Sequence, residues 1–292
     1  MMELRFGLMG GRRHALHRLI CGAASMLIMI LPATSAVAQD SIISNVELCN
    51  GRDRSSPEPQ IRGCSEVIKA AVGNIKAQAI AYNNRGNAYA SQGQYDLAMD
   101  DYNKSINLDF NYAHPLNNRG VLYKRKGELD LAMKDFEAAI NVDPNYADPF
   151  INRAELREKQ GDLAAALKDF DEAIRLQPDA KDVWNERCWA RAISGDLQGA
   201  LADCNESIRR EKNVAAYFDS RGLVYLLSGQ WDLAIADFDA ALKLDPKLPS
   251  ALYGRGFAKS KKGDAAGSKT DIGAAQAIKR DVEAEYAQYG VH

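Results

Sequence analysis

The chain has 292 residues, of which 46% are apolar, 26% charged and 8% aromatic, enough to bury a sizeable core and too apolar for a disordered or low-complexity tail. Its 37 Lys and Arg stand against 39 Asp and Glu, a balance of −2 with no overall field to draw in a polyanion, so nucleic acid is not an expected partner.

Arg5, Arg12, Arg13 and Arg18 precede an apolar run from Leu19 to Leu31, and small residues ending in Ala36, Val37 and Ala38 follow before Gln39. That order predicts a secretory signal peptide over 1–38, cleaved after Ala38. A retained anchor needs about 18 to 20 apolar residues, whereas this run has 13 before Pro32 breaks it. Arg12 and Arg13 raise the twin-arginine route, but Gly11 before the pair and Ala15 after it favour general secretion. Leu19 and Ile20 are too bulky before Cys21 for a lipoprotein signal. Removing 1–38 takes away four Arg and one Glu, leaving 33 basic against 38 acidic residues, a net of −5. No later stretch reaches spanning length, so the mature chain is expected in the periplasm or secreted, without membrane insertion.

The remaining chain is governed by one period. Asn84-Arg85-Gly86 recurs as Asn118-Arg119-Gly120, Asn152-Arg153-Ala154, Glu186-Arg187-Cys188, Ser220-Arg221-Gly222 and Gly254-Arg255-Gly256, always at the step that leads from Asn84 to Asn118. Further along each copy comes a glycine (Gly93, Gly127, Gly161, Gly195, Gly229, Gly263), and after it a small residue (Ala98, Ala132, Ala166, Ala200, Ala234, Ser268), both in strict phase with the triplet. Pro144, Pro178 and Pro246 close their units, where proline stops a helix. Apolar residues fall at helical spacing on both sides of the glycine, as in Trp184, Cys188 and Ala192 before Gly195 and Leu197, Ala200, Leu201 and Cys204 after it. Each unit therefore reads as helix, turn, helix. Tyr89, Tyr102, Tyr123, Phe136, Phe170, Tyr225 and Phe238 are placed to fill the layers, and Trp184 and Trp231 read as core. One unit cannot hide its own apolar face, so the units must stack.

This pattern resembles the tetratricopeptide repeat family, which implies an all-α fold, a right-handed α-solenoid of stacked helix-turn-helix repeats. Six units follow: 79–112, 113–146, 147–180, 181–214, 215–248 and 249–282, with a helical tail over 283–292. Phe110 and Lys212 depart from the closing proline, Arg157, Arg191 and Lys259 from the tyrosine, and Gly267 and Ser268 suggest that the sixth unit is a frayed cap.

The mature chain keeps Cys49, Cys64, Cys188 and Cys204, an even number suited to an oxidising compartment. Cys188 holds the small position of one helix and Cys204 the aromatic position of the next, places that face each other in an antiparallel pair. The stretch Ile61–Ile68 copies Leu201–Ile208 in phase, and Cys49 precedes Cys64 at nearly the spacing by which Cys188 precedes Cys204. We therefore read residues 39–78 as a degenerate half-repeat or cap. Of three connectivities, Cys49 with Cys64 and Cys188 with Cys204 is favoured, and a redox or metal site is the alternative. There is no Cys-x-x-Cys, and the mature histidines are His114 and His292, so no metal and no cofactor is expected.

Arg85, Arg119, Arg153, Arg187, Arg221 and Arg255 are each followed, at one constant interval, by an aspartate: Asp101, Asp135, Asp169, Asp203, Asp237 and Asp271. A row of arginines can bind a polyanion, but an equal row of carboxylates cancels it. The expectation is a structural ladder, guanidinium fork to carboxylate, fixing the rotation of each helix pair.

The resemblance implies a concave surface made by the first helix of each unit. On it, Trp189, Ile193, Leu223, Leu227, Tyr253 and Phe257 are the expected floor of an apolar groove. Asn83, Asn87 and Asn117 offer amides to the backbone of an extended peptide. Some family members clamp a C-terminal carboxylate with lysines; Asn83 and Asp148 stand where those lysines would be. The alternative is that a cap covers the apolar floor. There is no phosphate loop, Gly-x-Ser-x-Gly elbow or His-Glu-x-x-His, so no catalytic residues are expected and the chain is read as a non-enzyme. The expected function is a periplasmic adaptor for a peptide or protein segment. A carrier or sensor of a small apolar ligand or cell-wall fragment is the alternative, and self-association through the solenoid ends a third option.

Overall fold

The structure, a computed structural model, describes residues 36–51 and 56–292. The signal-peptide expectation lies outside them except for its last three residues. Among the described residues there are fifteen helices and no strand. Helices α1 (Ala36–Cys49) and α2 (Pro57–Ala70) form a complete hairpin where the sequence suggests half a repeat. Six pairs follow in repeat order: α3 (Ile75–Ser91) with α4 (Tyr95–Leu108), α5 (Ala113–Lys126) with α6 (Leu129–Val142), α7 (Ala147–Lys159) with α8 (Leu163–Leu176), α9 (Lys181–Ser194) with α10 (Leu197–Arg210), α11 (Ala215–Leu227) with α12 (Trp231–Leu244), and α13 (Pro249–Lys261) with α14 (Ala265–Ile278). Helix α15 (Val282–Gln288) ends the chain.

The turn chemistry explains the boundaries. Gly127 and Gly195 end their helices at φ of 82° and 91°, a left-handed conformation that an L side chain resists. The carboxylates of Asp162, Asp196 and Asp264 then cap the next helix, accepting from the amides of Ala165, Gly199 and Gly267 at 3.1, 3.0 and 2.8 Å. Helix α14 is fully formed, so the sixth repeat is not frayed as its Gly267 and Ser268 suggest.

The described residues fall into two compact units, one ending at Arg153 and the other beginning at Ala154, with the division inside α7. In the first, Phe136 and Tyr102 are fully buried between their helices; in the second, Phe170 and Phe238 are. Trp184 and Trp231 are half-buried, and Trp184 donates its indole N–H to the Pro178 carbonyl at 2.9 Å. Cys49 pairs with Cys64 across α1 and α2 with Cα atoms 4.4 Å apart. Cys188 pairs with Cys204 across α9 and α10 at 5.3 Å.

Arg85, Arg119, Arg187, Arg221 and Arg255 of the row each bond to the expected aspartate, and they do more than join two helices. Arg119 donates from Nε and Nη2 to the two carboxylate oxygens of Asp135 at 2.8 and 2.7 Å, and from Nη1 to Asn103 of the preceding repeat at 2.7 Å. Arg221 and Arg255 repeat this three-way contact with Asp237 and Asn205 and with Asp271 and Asp239. Each fork thus fixes its own pair and stitches it to the one before. The three positions that depart from tyrosine supply a cation to the same aspartates: Arg157 reaches Asp169 at 2.7 Å, and Arg191 and Lys259 reach Asp203 and Asp271 as a second cation at 2.9 and 2.8 Å. Where tyrosine is kept, as at Tyr123 and Tyr225, the ring lies under the guanidinium instead, 5.9 and 5.8 Å from centroid to Cζ.

Removing one side of a buried pair leaves a charge without its counter-ion. Asp135→Ala is expected to destabilise the chain by about 3 kcal/mol. Lys104→Ala breaks an exposed pair with Asp100 and should cost less than about 0.5 kcal/mol. Equal losses for both variants in urea titration would show that the ladder does not hold the repeats.

Candidate partner-binding site

In the unit ending at Arg153, the amides expected to face a peptide are occupied with one another. Asn118 donates from Nδ2 to Oδ1 of both Asn83 and Asn87 at 2.9 Å. One repeat later Asn152 donates to Asn117 Oδ1, also at 2.9 Å. Asn83 and Asn117 give their own N–H groups to the hydroxyls of Tyr112 and Tyr146 at 3.3 and 3.2 Å. At 2% and 1% exposure these two asparagines are not groove residues, a correction to the sequence expectation; Asn87 stays half-buried. The reason is that after both Asn83 and Asn117 the chain supplies a tyrosine 29 residues on and an asparagine 35 residues on, the donors and acceptors a buried amide requires. His114 lies stacked between Tyr112 and Tyr146, with centroids 5.0 and 4.5 Å away, and burial holds its imidazole below the ordinary value.

The unit beginning at Ala154 contains the expected apolar floor. Trp189, Ile193, Leu227 and Phe257 are half-buried, but Leu223 and Tyr253 are 0% and 5% exposed. These last two are core, a second correction. What covers them is the chain's own end: Leu223, Leu226, Tyr253, Val282, Tyr286 and Val291 form one buried cluster, and Trp189, Leu227, Phe257 and Tyr289 pack against it. Tyr289 meets the Trp189 ring edge-on at 5.0 Å, and the Tyr286 hydroxyl donates to the Ser250 carbonyl at 2.8 Å. Lys261 Nζ donates to the His292 carbonyl at 3.3 Å.

Beneath the segment lies a polar group that periodicity does not reveal. Asp219 of α11 is buried; its Oδ2 accepts from the Ser250 hydroxyl at 2.6 Å, while its Oδ1 accepts from no described residue. Burial pushes its carboxyl up to about 7, the Ser250 hydrogen bond works against this, and the Glu285 carboxylate adds to it. Asn185 Oδ1, one repeat earlier at the same register, is likewise buried without a donor among the described residues. The counterparts Asn83 and Asn117 are answered by Asn118 and Asn152, whereas the equivalent places after Asn185 and Asp219 hold Ser220 and Gly254. Glu158 is also raised to about 7, by burial and then by neighbouring Glu155. Asp219, Ser250, Tyr286 and Tyr289 are missing from the sequence-level site. Asp219 could have been noticed as a charge in a register otherwise filled by amides and apolar groups.

Among the described residues no group of three or more His, Cys, Asp or Glu is placed to hold a metal ion. No described helix is long and apolar enough to cross a membrane. Family models for the repeat match over 86–127 and 222–263 (described as TPR repeat), 114–146 and 151–215 (both tetratricopeptide repeat), together more than half of the chain. No curated protein matches. Among solved structures, a tetratricopeptide repeat protein from Parabacteroides merdae is similar at 16% identity and TM-score 0.59, covering 85% of this chain and 99% of its own. YrrB, described as a TPR protein with an unusual peptide-binding site, is similar at 18% identity and TM-score 0.52, covering 64% and 97%. The Cut9–Hcn1 hetero-tetramer of the APC/C matches at 15% identity and TM-score 0.64, covering 86% of this chain and 49% of the other. At these identities the likeness to the solved structures is one of fold alone.

Folding keeps Asp219 neutral up to about pH 7, while the unfolded chain ionises it near 3.8. Its folded value being raised, stability falls as pH climbs between those limits and levels off above them. The stability advantage of Asp219→Asn over the parent should therefore grow by roughly 3 kcal/mol between about pH 5 and 7.5 in urea unfolding. An advantage constant across that range would refute a buried neutral carboxyl.

Proposed function

Because the chain belongs to the tetratricopeptide repeat family, we propose that it is a periplasmic adaptor that holds a peptide or protein segment along the first helices of its repeats. The observation that carries this reading is the apolar strip of the unit beginning at Ala154. There Trp189 meets Tyr289 of the chain's tail, and Leu227 and Phe257 pack against the same cluster that Val282, Tyr286 and Val291 enter, so this face is shaped to receive a short segment. Half-buried aromatic anchors are the side chains from which such grooves draw most of their affinity. The compartment rests on separate support: two cysteine pairs at bonding distance suit an oxidising space, and the leader pattern supplies the route there.

A photo-crosslinking residue placed at Ile193 in living cells should capture a discrete protein partner. Trp189→Ala and Phe257→Ala should weaken that partner's binding by about 10- to 100-fold. Undiminished capture by both variants, with helical content retained, would move the binding site elsewhere. N-terminal sequencing of the exported chain should begin at Gln39, and an uncleaved cytoplasmic chain would overturn the localisation.

A further inference from the structure

We infer that residues 282–292 are a built-in occupant of this face, and that the external partner is a short helical segment with two aromatic residues three apart, an aliphatic residue two further on, and a basic residue just before the first aromatic. The inference rests on the reading above that the face binds a protein segment, and it names the chemistry of that segment and how access to it is controlled.

The anchors define the shape. Tyr286 is 1% exposed, Tyr289 meets Trp189, and Val291 is 4% exposed in the same cluster, giving a Tyr-x-x-Tyr-x-Val footprint. Helix α15 has only seven residues, well below the length of about 12 to 15 at which an isolated helix begins to hold in water. These contacts, and ion pairing of Lys279 with Glu285, keep it in place.

The fit is good in shape and poor in polarity. Asn185 Oδ1 and Asp219 Oδ1 are buried acceptors with no described donor, and the segment offers them none. It brings a carboxylate instead: Glu285, which accepts from the Tyr289 hydroxyl, lies near enough to Asp219 to raise its carboxyl further, and Glu158 acts on Tyr289 in the same sense. A lysine or arginine in the place of Glu285 would supply N–H donors and opposite charge to the same carboxylate, a charge-assisted hydrogen bond in place of a repulsion. The tether adds to the apolar contacts that hold the segment, since a short tether gives it an effective concentration in the millimolar range. A free segment of better polarity can displace it.

The test uses the full chain and labelled peptides of sequence 280–292, followed by fluorescence anisotropy. Tyr289→Ala, on a half-buried residue, loosens the resident segment. The parent peptide should bind the Tyr289→Ala chain at least about 10-fold more tightly than the unchanged chain. The same peptide with E285K should bind about 10-fold more tightly than the parent peptide. Equal affinity for the two chains, or binding to neither with circular dichroism unchanged, overturns the resident-occupant assignment. An E285K peptide no better than the parent overturns the basic residue. Should Tyr289→Ala lose helix, Val291→Ser on the same segment must give the same ordering. Peptide binding with no captured cellular partner would refute the adaptor alone, and a captured partner indifferent to the peptide would refute the resident occupant alone.

Discussion

The repeats depend on how closely two helices can approach, and in the first, second and fifth repeats a glycine facing an aromatic ring sets that distance, as the Cys188–Cys204 pair does in the fourth. A Cβ at Gly120 would lie 2.6 Å from the Phe136 ring, and one at Gly222 would lie 2.7 Å from Phe238. Glycine costs a helix interior about 1 kcal/mol relative to alanine, so these positions give up local propensity for contact between the helices. The approach in turn fixes the electrostatics. At this separation the Arg119 fork reaches both oxygens of Asp135, and its free Nη1 meets Asn103 in the preceding repeat. A wider pair would leave a nearly buried aspartate without its counter-ion, which is costly. Packing and charge therefore impose the same spacing, and both recur with the period of the chain.

What recurs in this way can be read from the sequence. The six helix pairs and the arginine–aspartate row follow from steric and electrostatic demands made again in every repeat, and Cys188 and Cys204 occupy two of those demanding positions. Departures from the pattern are harder to read. Arg157, Arg191 and Lys259 look like lost tyrosines until the buried aspartates are seen to accept a cation from them. Burial at the chain's end was not legible, because the residues that cover Leu223 and Tyr253 have no partners in the period. Tyr286 and Val291 occur once each, after the last repeat, and nothing in their spacing states where they return. Asn83 and Asn117 show the same limit: an amide on a helix face reads as available until its neighbours one repeat on are known to satisfy it.

One register, running Asn83, Asn117, Ile151, Asn185, Asp219 and Tyr253, shows how a repeat becomes a site. Its backbone placement is constant while the groups that answer it change. Where tyrosine and asparagine follow at the right distances, the amides of Asn83 and Asn117 are satisfied, while Asn118 Oδ1 beside them is buried with no donor among the described residues. Where valine, leucine, serine and glycine follow instead, at Val214, Leu248, Ser220 and Gly254, the acceptors of Asn185 and Asp219 are buried unanswered. Each such group costs about 1 to 3 kcal/mol. That cost is carried by the folded chain and is recoverable by any donor that arrives. A register residue already satisfied has nothing further to give a ligand, whereas an unsatisfied one under a replaceable segment keeps part of the folding free energy in reserve for binding. The chemistry that distinguishes the two faces thus lies in the residues that follow in the next repeat more than in the register itself.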